Sequence, residues 1–429
     1  MRQRFKYLMQ RVCPGLTGGM VPASMQGRAY DDTATTSVDH ETRLVRACTG
    51  RGGTEPRWRA WHHPPAWANP EALDASGEGS LIVRVTRPFN AETQVREFAS
   101  WITPNDRFFV RSHFGPPPSD RINPANWRLS VTGLADRPLS LSLSDLMRFE
   151  EVSVTAVVQC SGNGRAFHRP RAGGIQWRKG AVGNARWTGV RLRDVLAQAG
   201  VQAKAKHLHM LGADRPVLAS TPLFLRSIPM EKAQHPDTIL AYKMNKEPLP
   251  LLHGTPLRLI APGWMADACV KWLTDLTLGD QEAPGYYMQT AYRYPVRPVQ
   301  PGEQVAPADL RPVEAMIVKS LITSPHEGDV MKGDIVVQGV AWTGEGQIVS
   351  VEVSVDEGRT WSRARLTGDD VPYAWRMWEY DWRPARPGSS VLLCRATDDR
   401  GHMQLERSPW NPNGFLWNGW DRVTVMVRG

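Results

Sequence analysis

Val158-Gln159-Cys160-Ser161-Gly162-Asn163-Gly164-Arg165 is the stretch on which the reading of this chain turns. A β-branched run, Val152–Val158, leads into Cys160, and two glycines with an asparagine then force a tight turn. A cysteine at a strand end, beside a turn rich in backbone N–H groups and an arginine, is expected in electropositive surroundings. Such surroundings lower a thiol pKa and favour thiolate. Thiolate serves as a nucleophile or as a soft metal ligand, and a lone cysteine is also a common buried core residue. A nucleophile could draw on His168 as its base, although nearness in sequence does not establish nearness in space. The stretch by itself leaves the three readings open.

Short strand-like runs surround it: Leu81–Val85, Phe108–Val110, Trp127–Val131, His207–Leu211 and Leu257–Ile260. Helical patterns lie between them at Leu141–Arg148, with Ser140 as cap, and at Arg191–Gly200, stopped by its glycine. This mixture reads as α+β. Pro298–Pro312 reads as a proline-punctuated linker. Beyond it Val349, Val351, Val353 and Val355 alternate onto one face, and Val391–Cys394 and Val423–Val427 follow. The turns Asp356-Glu357-Gly358 and Asp399-Arg400-Gly401 complete the pattern of an antiparallel, all-β sandwich of immunoglobulin type. The expected organisation is a poorly ordered N-terminal tail over 1–75, a catalytic domain over 76–300 and the sandwich over 301–429.

Composition sets outer limits. A chain of 429 residues is long enough for two folded units and a tail. Its 41% hydrophobic and 22% charged residues argue against a fibrous or wholly disordered chain. No run approaches the roughly 18 apolar residues of a membrane span. Five cysteines (Cys13, Cys48, Cys160, Cys269, Cys394) show no paired spacing, which leaves a disulfide scaffold, a zinc ribbon and a covalently attached haem without support. The formal charge of +9 favours acidic partners or anionic substrates, and no nucleic-acid partner is expected. Near the N-terminus Pro14, Gly15, Gly18 and Gly19 interrupt what would have to be a secretory apolar run. The compartment, periplasm or cytoplasm, is left open. The pair His62-His63 is read as an accident of the tail, and His207 and His209 as structural.

Taken with the rest of the chain, the cysteine turn resembles the marker of the sulfite oxidase family of molybdenum enzymes, and the likeness extends over about residues 81 to 429. The marker Cys-x-Gly-Asn-x-Arg is met by Cys160, Gly162, Asn163 and Arg165. It continues into Gly174-x-x-Trp177, Gly180-Ala181-Val182 and Ala185-Arg186-Trp187-x-Gly189-Val190. Upstream stands Phe108-Phe109-Val110-Arg111-Ser112-His113. Downstream stand His253-Gly254-Thr255-Pro256-Leu257-Arg258 and Val270-Lys271-Trp272-Leu273. Their order and separation make the resemblance specific.

The resemblance implies a molybdenum–molybdopterin cofactor (Moco), with Cys160 as the protein's ligand to the metal and no haem in the chain. It implies that His113, Asp214, His253, Arg258 and Lys271, with main-chain groups near Phe109 and Val270, hold the pterin and its phosphate. It places Arg111, which also counts among the cofactor-binding residues, with Arg165, Trp177 and Tyr292 around a small oxyanion, sulfite. Tyr286, Tyr287 and Tyr294 compete for the role given to Tyr292. The implied reaction is oxygen-atom transfer to the sulfur of sulfite, with electrons leaving to a separate acceptor, most simply a cytochrome. The C-terminal sandwich, with Ser354–Trp361 as its hairpin, implies a homodimer. One departure stands out. Where animal members carry an arginine in a Trp-Asn-x-Arg-Gly turn, this chain reads Trp410-Asn411-Pro412-Asn413-Gly414. Loss of that guanidinium is expected to weaken oxyanion binding by about 1–3 kcal/mol. It keeps a second class of reaction in view: oxotransfer with nitrate, a sulfoxide or a protein-bound sulfane sulfur. A non-catalytic binding protein that keeps the fold is the third, and an intact Cys160 argues against it.

Overall fold

The computed structural model describes residues 81–429. The first 80 residues, with the pair His62-His63 and the expected tail, lie outside the described part. Two sheets build the catalytic part. In the first, Glu247–Pro248, Ile239–Met244, Val182–Arg191 and Glu151–Gln159 run side by side and antiparallel, and Arg258–Ile260 adds to Ile239–Met244. In the second, Leu139–Ser142, Arg128–Gly133, Leu273–Gly279, His207–Gly212 and Arg226–Pro229 follow one another, with the Arg128–Gly133 and Leu273–Gly279 pair parallel. The helix Leu192–Ala199 lies where its pattern predicts, since Leu192, Val195, Leu196 and Ala199 form one buried stripe. Gly200 ends it at φ +72°, a conformation that a side chain would resist.

The C-terminal part is an all-β sandwich. One sheet runs Lys319–Ser324, Ile335–Trp342, Arg376–Trp382, Arg365–Thr367. The other runs Val330–Lys332, Asp421–Arg428, Gly388–Asp398, Ile348–Ser354, Ser362–Arg363. Val337 and Trp378 from the first sheet share a core with Val351, Leu392 and Val423 from the second.

Several local expectations are corrected. Leu141 belongs to a strand, and only Leu143–Leu146 is helical, capped by Ser142 and Asp145 rather than by Ser140. Ser140 pairs with Ser130 across the sheet, and tertiary pairing outweighs the helical pattern there. Phe108–Val110 forms no strand; Val110 makes a single bridge to Ala91 while both phenylalanines enter the core. Val349 does not share the inner face of Val351 and Val353. The register slips between Ile348 and Ser350, which turns Val349 outward. Part of the proline-rich linker is ordered too, with Leu310–Pro312 paired to Arg293–Pro295.

Candidate active site

The strand Glu151–Gln159 pairs with Val182–Arg191 along its whole length, and Cys160 continues the ladder by donating its N–H to the Ala181 carbonyl at 2.9 Å. The chain then turns sharply. Asn163 N–H donates to the Cys160 carbonyl and Arg165 N–H to that of Gly162, each at 2.9 Å. Gly164 sits at φ +94°, and a Cβ on Gly162 would lie 2.6 Å from the Arg165 side chain. The C-terminal part clamps this turn from behind. Leu416 N–H donates to the Ser161 carbonyl at 3.1 Å, and the Trp342 indole N–H donates to Gln159 Oε1 at 2.6 Å.

Cys160 opens on a cleft lined by Phe109, Arg111, His113, Asp214, His253, Arg258, Val270, Lys271 and Tyr292 among others. The sequence motifs that supply these residues are far apart along the chain and converge here. Arg165 and Trp177 are placed differently. The Arg165 guanidinium donates to the carbonyls of Asn413 (Nε, 2.8 Å) and Ile175 (Nη1, 2.9 Å) and lies 5.2 Å over the Phe415 ring. Trp177 is wholly buried in the core, and its Nε1 has no partner among the described residues. Both stand behind the cleft wall. Asn413 turns its side-chain amide to the Arg293 carbonyl at 3.0 Å.

The cleft has residues that sequence reasoning missed: Ser112, Ser161, Phe224, Leu252, Asp267 and Cys269. Asp267 accepts from Ser161 Oγ at 2.5 Å and pairs with Arg226 at 2.5 Å, both side chains 2% exposed. Arg226 also reaches the Tyr287 carbonyl and lies 5.1 Å from the Tyr292 ring centre. The Tyr292 hydroxyl meets His113 Nε2 at 3.0 Å, while His113 stacks on Phe224. Lys271 Nζ donates to the Leu252 carbonyl at 2.8 Å and to Ser112 Oγ at 3.0 Å. Arg258 donates to the carbonyls of His253 and Cys269, and its Nε is left without a partner. Arg111 donates to the Ser112 carbonyl and to Asn90 Oδ1.

Burial governs the protonation states. It pushes the Cys160 thiol up, against the pull of the Arg111 and Arg165 charges. The expectation of a lowered thiol pKa is therefore corrected, because desolvation outweighs the two arginines. A metal bound to the sulfur would displace the proton outright. Burial also holds His113 well below the usual imidazole range, with help from Arg111 and Lys271, and brings His253 down to about 3, so both rings are neutral. Tyr292 is pushed up to about 12 by burial and stays a phenol beside the neutral His113 ring. Asp214 is pushed up to about 6 by burial, although Lys271 opposes the shift. Lys271 is depressed by burial and by Arg258.

The charge balance tests whether an anionic group fits. Arg111, Arg258 and Lys271 face the cleft against Asp214 and Asp267, and Asp267 is already committed to Arg226. Arg258 is buried and the other two are half-buried, and gathering cations in such excess is costly unless an anion meets them. Among the described residues no three His, Cys, Asp or Glu side chains converge to hold a metal, so a metal at Cys160 would need donors from a chelating group. The unpartnered Arg258 Nε adds a donor still to be satisfied. A phosphate-bearing sulfur chelator fits all three observations.

Comparison with known proteins agrees. Residues 114–287 match the oxidoreductase molybdopterin binding domain and residues 311–428 the Mo-co oxidoreductase dimerisation domain. Mitochondrial sulfite oxidase of Rattus norvegicus is 35% identical over 381 residues, which is 85% of this chain and 69% of the relative. Sulfite oxidase of Gallus gallus is 36% identical over 83% of this chain and 80% of its own length, and that of Arabidopsis thaliana 31% over 81% and 94%. The solved structure of the sulfane dehydrogenase SoxCD from Paracoccus pantotrophus superposes with a TM-score of 0.70 at 28% identity, over 89% of this chain and 96% of that one. Fold and site together define a molybdopterin-dependent oxidoreductase. The chain belongs to the sulfite oxidase family, and its C-terminal sandwich is a dimerisation domain, which makes the enzyme a homodimer. No helix of the described residues is long and apolar enough to cross a membrane.

Proposed function

We propose that this enzyme oxidises sulfite to sulfate and passes the electrons to a separate acceptor, most simply a cytochrome. The observation that carries the reading is the position of Cys160 at the wall of a cleft lined by Arg111, Arg258 and Lys271 against one uncommitted carboxylate, Asp214. A molybdenum held by molybdopterin would supply the oxygen-atom transfer and the two-electron redox chemistry. Cys160 would be the protein's sulfur donor to it. Arg258, Lys271 and His253 would hold the pterin's phosphate and polar edge, and Asp214 would accept its N–H groups.

The remaining side chains act on the substrate. Arg111 offers a guanidinium to an oxyanion, a group that binds two oxygens at once and desolvates more easily than an ammonium. Arg165 adds positive potential from behind Cys160. Tyr292, protonated and bonded to neutral His113, can lend its O–H to an oxygen in the cleft and recover it afterwards. Phe109, Phe224 and the Phe108 ring beneath Gly183 keep the cleft walls dry, which strengthens each of these contacts. In this reading the catalytic domain covers residues 76–300 and the immunoglobulin-like domain residues 301–429.

One observation favours a second reading. Asn413 offers a neutral amide where an arginine is expected, and that amide is bonded to the Arg293 carbonyl. A site short of one guanidinium suits a less charged sulfur, such as a protein-bound sulfane, and SoxCD is by title a sulfane dehydrogenase. One assay on molybdenum-loaded enzyme separates the readings. Sulfite should reduce ferricyanide or cytochrome c rapidly, a protein-bound persulfide should reduce the same acceptors poorly, and nitrate or a sulfoxide should be reduced poorly by reduced viologen. Turnover confined to the reductive direction would refute the sulfite reading.

A further inference from the structure

A second cavity, of about 500 Å³, opens where the chain just after the Cys160 turn meets the C-terminal sandwich, and it shares no lining residue with the cofactor cleft. Three half-buried tryptophans wall it, and two are held in place by their indole N–H groups. Trp410 donates to the Pro170 carbonyl at 2.9 Å and Trp420 to that of Gln404 at 3.1 Å. Trp417 leans on Phe167 with ring centres 4.9 Å apart. Walls of this kind offer broad, fixed aromatic faces.

The polar groups are unbalanced in one direction. Arg169, Lys179, Arg407 and Arg422 line the cavity against Glu406 and Asp421. Asp421 is already neutralised: it pairs with Lys179 at 2.6 Å and accepts from Ile322 N–H at 2.9 Å. One buried nitrogen on the cavity wall lacks any hydrogen-bond partner among the described residues. His168 lines the cavity at 3% exposure with Nε2 unpaired. Unsatisfied buried polar groups are few in native proteins and call for a missing partner. Aromatic faces answered by guanidinium groups select a flat ring that carries an anionic group.

We propose that this cavity is a second ligand site, which takes a small anion with a flat unsaturated ring, of the chemical class of a nucleoside monophosphate. The ring lies among Trp410, Trp417 and Trp420, and the anionic group meets Arg422 and Arg407, with His168 at the floor. The site is joined to the reaction centre by a single wall. Trp417 rests on Gly164, where an added Cβ would lie 2.7 Å from the indole, and Gly164 belongs to the Cys160 turn.

The test is isothermal titration calorimetry of the full-length dimeric holoenzyme with adenosine 5′-monophosphate, adenosine and inorganic phosphate as separate probes. The monophosphate should bind saturably and at least tenfold more tightly than either of the other two. Arg422→Ala, an exposed substitution that leaves the core intact, should weaken it at least tenfold, and so should Trp410→Ala. Arg111→Gln, in the cofactor cleft, should leave the affinity within twofold. Absence of saturable binding, equal affinity for phosphate alone, or indifference to Arg422→Ala would each overturn the proposal. Loss of binding in Arg111→Gln with retention in Arg422→Ala would place the probe in the cofactor cleft and overturn it as well.

Discussion

The buried pair of Arg226 and Asp267 should behave as a unit, and breaking it should damage both stability and the metal site. Each side chain is 2% exposed, and their charged atoms are 2.5 Å apart. Arg226→Met strands a carboxylate and Asp267→Asn strands a guanidinium. Stranding one buried charge costs about 3–5 kcal/mol, whereas removing both at once is close to neutral, about 1 kcal/mol by comparison. For a domain of this size each kcal/mol moves the melting temperature by roughly 2–4 °C. Each single substitution should therefore lower Tm by roughly 10 °C, and the double variant by a few degrees only. Melting followed by circular dichroism, with molybdenum content measured on the same samples, gives both readouts. Molybdenum should fall in both single variants, because Asp267 also fixes Ser161, the neighbour of Cys160. A double variant whose loss equals the sum of the two singles would show that the residues do not act together and would refute the reasoning.

Cys160→Ser should keep the fold and abolish turnover, since a hydroxyl is a poorer donor to molybdenum than thiolate; full activity in that variant would remove Cys160 as ligand. Arg111→Gln should raise KM for sulfite at least tenfold and weaken inhibition by sulfate, and steady-state kinetics at two salt concentrations would check it. Lys319→Met should stabilise the enzyme in a pH-dependent way. Burial lowers the Lys319 amine from 10.5 to about 7, so between those values the unfolded chain holds more protons than the folded one. Wild-type stability attached to this group therefore rises with pH across that window. The advantage of the methionine variant should be several kcal/mol below pH 7 and fade towards pH 10.5. A difference that stays constant from pH 6 to pH 10 would rule this out.

The parts of the site that were legible are those in which chemistry and local backbone coincide. The Cys160 turn needs its glycines within a few residues of the sulfur, because a side chain at Gly162 would strike Arg165. The histidines and basic residues of the cleft lie in short motifs that could be matched one by one. Asp267 and Arg226 left no such trace: 41 positions separate them, and only the fold brings them together. Trp177 and Arg165 show the converse limit. Both belong to the marker region, yet one is packed wholly into the core and the other spends its hydrogen bonds on carbonyls. Alternation recognised the C-terminal strands but could not register the slip that turns Val349 outward, because a bulge leaves no periodic signature. The raised thiol pKa is invisible in the sequence for a related reason, since burial depends on the whole assembly and not on the turn.

The hydrogen bonds that the C-terminal part makes to Gln159, Ser161 and Arg165 carry a consequence for anyone wishing to recombine this enzyme. The dimer-forming half is not a detachable handle, because it supplies the mould against which the Cys160 turn is cast. Chimeras that exchange that half between relatives should lose cofactor unless Trp342, Asn413, Leu416 and Trp417 travel with the turn they brace.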